Sequence, residues 1–265
     1  MNRIDQMFQR LRARGEKALI PFITAGDPDL ETTKALVLEL EERGADLVEL
    51  GVPFSDPLAD GITIQRASQR ALQGGASLAK ILALLKEVRR ASEIPMVVMS
   101  YYNPILRFGL WRFAEEAAAS GVDGVIVPDL PPEEAGELRR FSEKEGLYTI
   151  FLLTPTSTEA RIELVISASQ GYIYYVSLKG VTGARDRLAF GLREAVERMK
   201  ARTEKPIVVG FGIGSPEQAR EVSRYADGVI VGRAIVAKVE ESLGRADLVA
   251  KVGEFVAALK AAMGR

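Results

Sequence analysis

Short apolar runs rich in β-branched residues alternate along this chain with longer stretches whose apolar residues recur every three or four positions. The first run, ALIPFITAG (18–26), is preceded by Ile4, Met7, Phe8 and Leu11 at helical spacing, a helix placed to cap one end of the fold. Asp29 supplies an N-cap for a helix reaching about Arg43, and DLVELG (46–51) is the next run. A loop and helical stretches at 63–71 and 78–91 follow. The pattern then repeats through PMVVMS (95–100), DGVIVPD (123–129), YTIFLLT (148–154), GYIYYVS (171–177), PIVVG (206–210) and DGVIVG (227–232), each followed by a helical stretch. Thr156 with Glu159 has the spacing of a capping box. Ser215-Pro216-Glu217-Gln218 has the same spacing, with proline at the first helical position.

The strand candidates are apolar almost without interruption, so they are buried on both faces, as in a parallel sheet covered by crossover helices. Strand–helix pairs continuing across all 265 residues predict one domain over 1–265, a single parallel (β/α)8 barrel with an extra N-terminal helix. The competing architecture, an open doubly wound sheet, lacks its expected GxGxxG after the first strand.

Composition narrows the chemistry. The chain has no histidine and no cysteine, which excludes thiolate nucleophiles, serine–histidine triads and the common zinc sites. Acid–base work falls to Asp, Glu, Lys or Tyr. With a net charge of −1 and both signs interspersed, the usual electrostatic footprint of nucleic-acid binding is missing. No apolar run reaches membrane-spanning length, and the charged N-terminus lacks a signal peptide's apolar core, so a cytoplasmic location is expected.

In such a barrel, active-site residues lie at the C-terminal ends of strands. If Val48 and Leu50 face the helices, Glu49 points into the barrel, where an apolar setting raises a carboxyl pKa and favours a proton donor. Asp56 and Asp60 follow in a proline-stiffened loop, and Asp60, beside Gly61, stands where the chain returns to the barrel mouth. Glycines gather after the last three strands, in SLKGVTGAR (177–185), GFGIG (210–214) and VGRA (231–234), the usual place of a phosphate cradle. A short helix at 234–241, with Gly232 and Arg233 at its start, fits that cradle. Lys179, in phase with Tyr175 and Ser177, is the alternative: a Schiff-base lysine.

ELGVPFSDPLADG (49–61) closely resembles the signature segment of the tryptophan synthase alpha subunit family, with further similar stretches at PFITAGDP (21–28), SYYNPI (100–105), VPDLPPEE (127–134), GVTGAR (180–185) and GFGI (210–213). The resemblance implies a TIM barrel that cleaves indole glycerol phosphate to indole and glyceraldehyde 3-phosphate. It implies Glu49 and Asp60 as the catalytic carboxylates, Phe22, Tyr102 and Tyr175 around the indole, and Gly183, Gly212 and Gly232 as phosphate-binding amides. It also implies an α2β2 assembly in which pyridoxal phosphate (PLP) belongs to the beta subunit and this chain holds no cofactor. Loops at about 53–61 and 178–189 would cover the site. Two positions depart from the family pattern: Arg233 stands where serine is usual, and Ile62 where proline is usual. A stand-alone lyase and a non-catalytic barrel that activates the beta subunit are the other readings of the same sequence.

Overall fold

The computed structural model of the chain describes residues 1–176, 185–210 and 212–264, with the backbone alone for 185–190. Lys179 and Gly183 lie outside the described residues. The strands are β1 (Ala18–Thr24), β2 (Val48–Gly51), β3 (Met96–Met99), β4 (Gly124–Ile126), β5 (Tyr148–Ile150), β6 (Leu152–Leu153), β7 (Ile173–Val176), β8 (Ile207–Gly210) and β9 (Gly228–Val231). The helices are α1 (Arg3–Arg14), α2 (Leu30–Glu42), α3 (Ile62–Gln73), α4 (Leu78–Arg89), α5 (Tyr102–Phe108), α6 (Leu110–Ala119), α7 (Gly136–Lys144), α8 (Glu159–Ala168), α9 (Arg185–Lys200), α10 (Pro216–Ser223), α11 (Arg233–Glu241) and α12 (Leu248–Met263).

Every strand pairing is parallel, in the order β5-β4-β3-β2-β1-β9-β8-β7-β6. The two ends of that order, β5 and β6, are consecutive in the chain and separated only by Phe151, so the sheet curls into a barrel. The single strand expected at 148–154 is two. The Thr149 N–H donates to the Gln170 side-chain oxygen (3.1 Å) and the Phe151 N–H to Ser169 Oγ (2.8 Å). Side chains from the turn before β7 thus take two ladder positions, while the Phe151 carbonyl still accepts from the Tyr174 N–H at 3.2 Å.

Alternation along the strands sorts side chains into two layers. Ile23, Val48, Leu50, Val98, Val125 and Val209 face outward into a core shared with Leu36, Leu40 and Leu85 of the helices. Ile20, Phe22, Val97, Ile126, Tyr174, Val208 and Ile230 fill the barrel interior. Helix α1 closes the interior from below with Ile4, Met7, Phe8 and Leu11, all buried, and Phe8 meets Tyr172 ring to ring at 5.8 Å.

Asp29 and Ser215 cap α2 and α10 as their spacing predicts, accepting from the N–H groups of Thr32 and Gln218. The capping box at Thr156 is corrected: Thr158 caps α8 and accepts from the Arg161 N–H. A turn in which the Ser157 N–H donates to the Thr154 carbonyl (3.0 Å), and the Thr154 N–H to Ser157 Oγ (3.0 Å), occupies the earlier residues and delays the helix.

Below the barrel, buried Asp123 accepts from the Met96 N–H (2.9 Å), Arg89 (3.1 Å) and Arg3 (3.2 Å), tying α1, α4 and β3 together. Substituting Asp123→Ala leaves the buried Met96 N–H without its acceptor and takes the carboxylate from half-buried Arg89, which keeps its bonds to the Gly121 and Ser92 carbonyls. Urea unfolding should show a loss of about 3 kcal/mol, with the slope against denaturant unchanged.

Candidate active site

Glu49 is fully buried, although it belongs to the residue class least often found in an interior. It pairs in register with Phe22 on β1 and Val97 on β3, both on the interior face. Neither carboxyl oxygen has a hydrogen-bond partner among the described residues. Burial alone pushes its pKa to about 8, because no donor or cation compensates the lost hydration of the charged form. Glu49 is therefore a carboxylic acid at neutral pH.

Above it opens a cavity of about 210 Å³, at the C-terminal ends of the strands, walled by Phe22, Met99, Tyr174 and Ile230 as well as Glu49. Phe22 lies over Gly51, where a Cβ would stand 2.5 Å from the ring; only glycine leaves the ring that place. Asp60 enters the same cavity from the end of the β2–α3 loop, just before α3 begins. The Tyr101 hydroxyl accepts from the Ala59 N–H at 2.9 Å and bonds the Asp60 carboxylate. Burial raises the Asp60 pKa and the Tyr101 bond counteracts it. The two carboxyl groups thus share one cavity in different settings: Glu49 without a partner, Asp60 held by a phenol.

The far wall holds the start of a helix. Helix α11 begins at Arg233, and its N-cap, Gly232, contributes no side-chain cap. Gly232, Arg233 and Gly212 all line the cavity. Gly212 has φ +81°, in the left-handed region that a side chain disfavours. Uncapped N–H groups at a helix start, with a guanidinium beside them, suit a phosphate.

An ionic chain ties the helices that carry the two walls. Arg70 of α3 grips buried Asp27 with two bonds (2.8 and 2.9 Å) and reaches Glu240 of α11 at 2.8 Å. Arg66, one turn earlier, holds the same Glu240 through two 2.7 Å bonds. The Glu240 carboxyl is accordingly held down to about 2, with the Arg66 bond the largest cause.

Two expected positions are corrected. Tyr175 does not face the cavity: β7 alternates, so Tyr174 points inward while Tyr175 packs in the helix-side core with Val209. Tyr102 is the first residue of α5, its N–H donating to Asp129 and its side chain packed on that same outer core; the preceding Tyr101 is the residue that meets Asp60. In both places two tyrosines are adjacent, and a one-residue slip exchanges the faces. Counting by twos along each strand would have identified Tyr174, since Tyr172 and Val176 share its face.

Fold and site together define a class: a TIM barrel with its cavity at the C-terminal end of the strands, a buried carboxylic acid in the cavity wall and an uncapped helix start opposite. Residues 8–263 match the family described as tryptophan synthase alpha chain. Curated relatives of that name include one from Geotalea daltonii, 54% identical over 98% of both chains, and one from Geobacter sulfurreducens, 52% identical over the full length of both. Among solved structures, the tryptophan synthase alpha subunit of Legionella pneumophila superposes with a TM-score of 0.92 at 40% identity, covering 99% of this chain and 98% of the other. A chain of tryptophan synthase from M. tuberculosis superposes with a TM-score of 0.89 at 36% identity, covering 99% of this chain and all of the other. The chain belongs to the tryptophan synthase alpha chain family, lyases that cleave indole-3-glycerol phosphate, and membership implies a beta-subunit partner. No described helix is long and apolar enough to cross a membrane.

Burial of Glu49 links stability to pH. Its folded pKa, about 8, lies above the ordinary 4.5, so between those values the folded chain binds more protons than the unfolded one and stability falls as pH rises. Glu49→Gln removes that dependence. The stability of the variant relative to the parent should improve by about 3 kcal/mol between pH 5 and pH 8, measured by denaturant unfolding at both.

Proposed function

We propose that this cavity performs the retro-aldol cleavage with Glu49 as its acid and Asp60 as its charged anchor. The observation that carries the reading is the contrast between the two carboxyl groups on one cavity wall. Glu49 is buried without a partner and stays protonated, whereas Asp60 is half-buried and bonded to Tyr101. Acid and anion roles need that kind of separation.

In this reading the indole ring lies between Phe22 and the aliphatic wall, with its N–H on Asp60. The phosphate sits on the start of α11, where Gly212, Gly232 and Arg233 meet it. Gly183, by resemblance, adds a further amide. Glu49 donates its proton to the indole carbon that carries the glycerol chain. Positive charge develops on the ring nitrogen, and the Asp60 carboxylate stabilises it. Glu49 is left ionised in an apolar wall, which makes it a strong base. It then takes the proton of the adjacent hydroxyl as the carbon–carbon bond breaks. Indole and glyceraldehyde 3-phosphate leave, and the acid is regenerated.

The reading places the chain in an α2β2 tetramer in the cytoplasm, receiving no cofactor of its own while PLP stays with the beta subunit. Indole release from indole glycerol phosphate, followed with and without a beta subunit, tests it. The unaltered chain should be active and stimulated by the partner. Glu49→Gln should lower turnover at least a hundredfold in either condition. Removal of the inward ring in Tyr174→Ala should raise KM, and Tyr175→Phe should leave both kinetic constants near their starting values. Activity without any response to the beta subunit would favour a stand-alone lyase.

A further inference from the structure

Beside the main cavity lies a much smaller one, about 20 Å³, bounded by Thr24, Gly51, Asp60, Ser68, Ser100 and Tyr101. It is set by the strand pattern. Ala18, Ile20 and Phe22 face the barrel interior, so Thr24, two residues further along β1, faces it too, at the mouth. Its register partner on β2 is Gly51, whose missing side chain makes way for the Phe22 ring, and the notch lies beside that ring. Thr24 is 3% exposed, and its hydroxyl has no hydrogen-bond partner among the described residues. A buried hydroxyl left unpaired is costly, and sites with room for one water molecule and two to four polar groups are where proteins hold single waters. The notch has the volume, and Thr24, Asp60 and Tyr101 are all among the residues that line it.

We propose that Thr24 holds one structural water against the Asp60 carboxylate, making Thr24 a positioning residue for that group. The inference rests on the reading of Asp60 as the charged anchor. Tyr101 alone gives Asp60 one side-chain donor, and its hydroxyl is also occupied by the Ala59 N–H. The water supplies a second donor to the charged form and occupies the side of the carboxylate turned away from the main cavity. Ser100 is engaged elsewhere, its hydroxyl donating to the Tyr101 carbonyl at 3.0 Å, and of the hydroxyls around the notch that of Thr24 is the one fully buried without a partner among the described residues. The other titratable groups on the two cavities are Glu49, Tyr174 and Arg233, and none of them touches the notch.

The test compares Thr24→Val, which keeps the shape and removes the hydroxyl, with Thr24→Ser, which keeps the hydroxyl. Each is assayed with the beta subunit for the pH dependence of kcat/KM, and each is crystallised to a resolution that shows ordered water. Loss of a donor to the charged form raises the Asp60 pKa, so in Thr24→Val the acid limb moves to higher pH and kcat/KM at neutral pH falls about tenfold. The water between residues 24 and 60 disappears. Thr24→Ser restores both the limb and the water. An unmoved limb in Thr24→Val, or a loss of the same size in Thr24→Ser, overturns the proposal. So does a crystal structure of the unaltered chain with no water on the Thr24 hydroxyl. Asp60→Asn, run alongside, separates the two readings. If it keeps full activity, Asp60 is not the anchor and that reading fails, while the crystal structures still decide the water.

Discussion

The cost of placing a carboxyl group inside a barrel governs this molecule. An ionised Glu49 at this depth would lose its hydration and gain nothing in return, since no arginine, lysine or amide among the described residues reaches it. The protein accommodates the group by keeping its proton on. That choice constrains the surroundings. The wall must stay apolar, so Phe22, Val97 and Ile230 occupy it; the bottom must stay closed to water, which α1 ensures with a layer of buried side chains. Each of these packing features would look like ordinary core construction in isolation. Together they maintain an acid at neutral pH in a chain that has no histidine to serve instead.

Asp60 is handled oppositely. It comes from a loop, is only partly shielded, and touches a phenol. The contrast between strand-borne and loop-borne carboxyl groups follows from the barrel geometry. A strand residue inherits the dry interior, whereas a loop residue at the mouth keeps access to polar partners. One reaction can then use an acid and an anion at the same pH without any difference in their intrinsic chemistry.

Much of this was legible beforehand because the period of the pattern decides it. The alternation around Glu49 is unambiguous: Val48 and Leu50 are apolar on the helix side, and the carboxylate between them has one direction left. The glycine-rich strand ends were legible in the sequence, and the resemblance singled out Gly212 and Gly232 within them; the structure gives the first a positive φ and starts a helix after the second. Where two similar residues adjoin, as at Tyr101-Tyr102 and Tyr174-Tyr175, composition carries no phase information, and resemblance placed both one residue late. Phe151 shows another limit. Its strand is interrupted by side chains of Ser169 and Gln170, a long-range exchange of hydrogen bonds that local propensity cannot reveal. The ionic chain from Asp27 to Glu240 was equally hidden, since its members lie up to 213 residues apart and charged residues on helices usually face solvent.

That chain makes the two ends of the substrate cavity mechanically one piece. Arg70 and Arg66 fasten the helix that follows Asp60 to the helix whose start lines the far wall of the cavity, and Asp27 anchors the pair to the loop after β1. In the proposed function, a phosphate settling on α11 would lean on the same ionic chain that positions the helix behind Asp60, so that binding free energy gained at one end of the substrate would be spent at the other. The phosphate would then belong to the catalytic apparatus, although it takes no part in the bond that breaks.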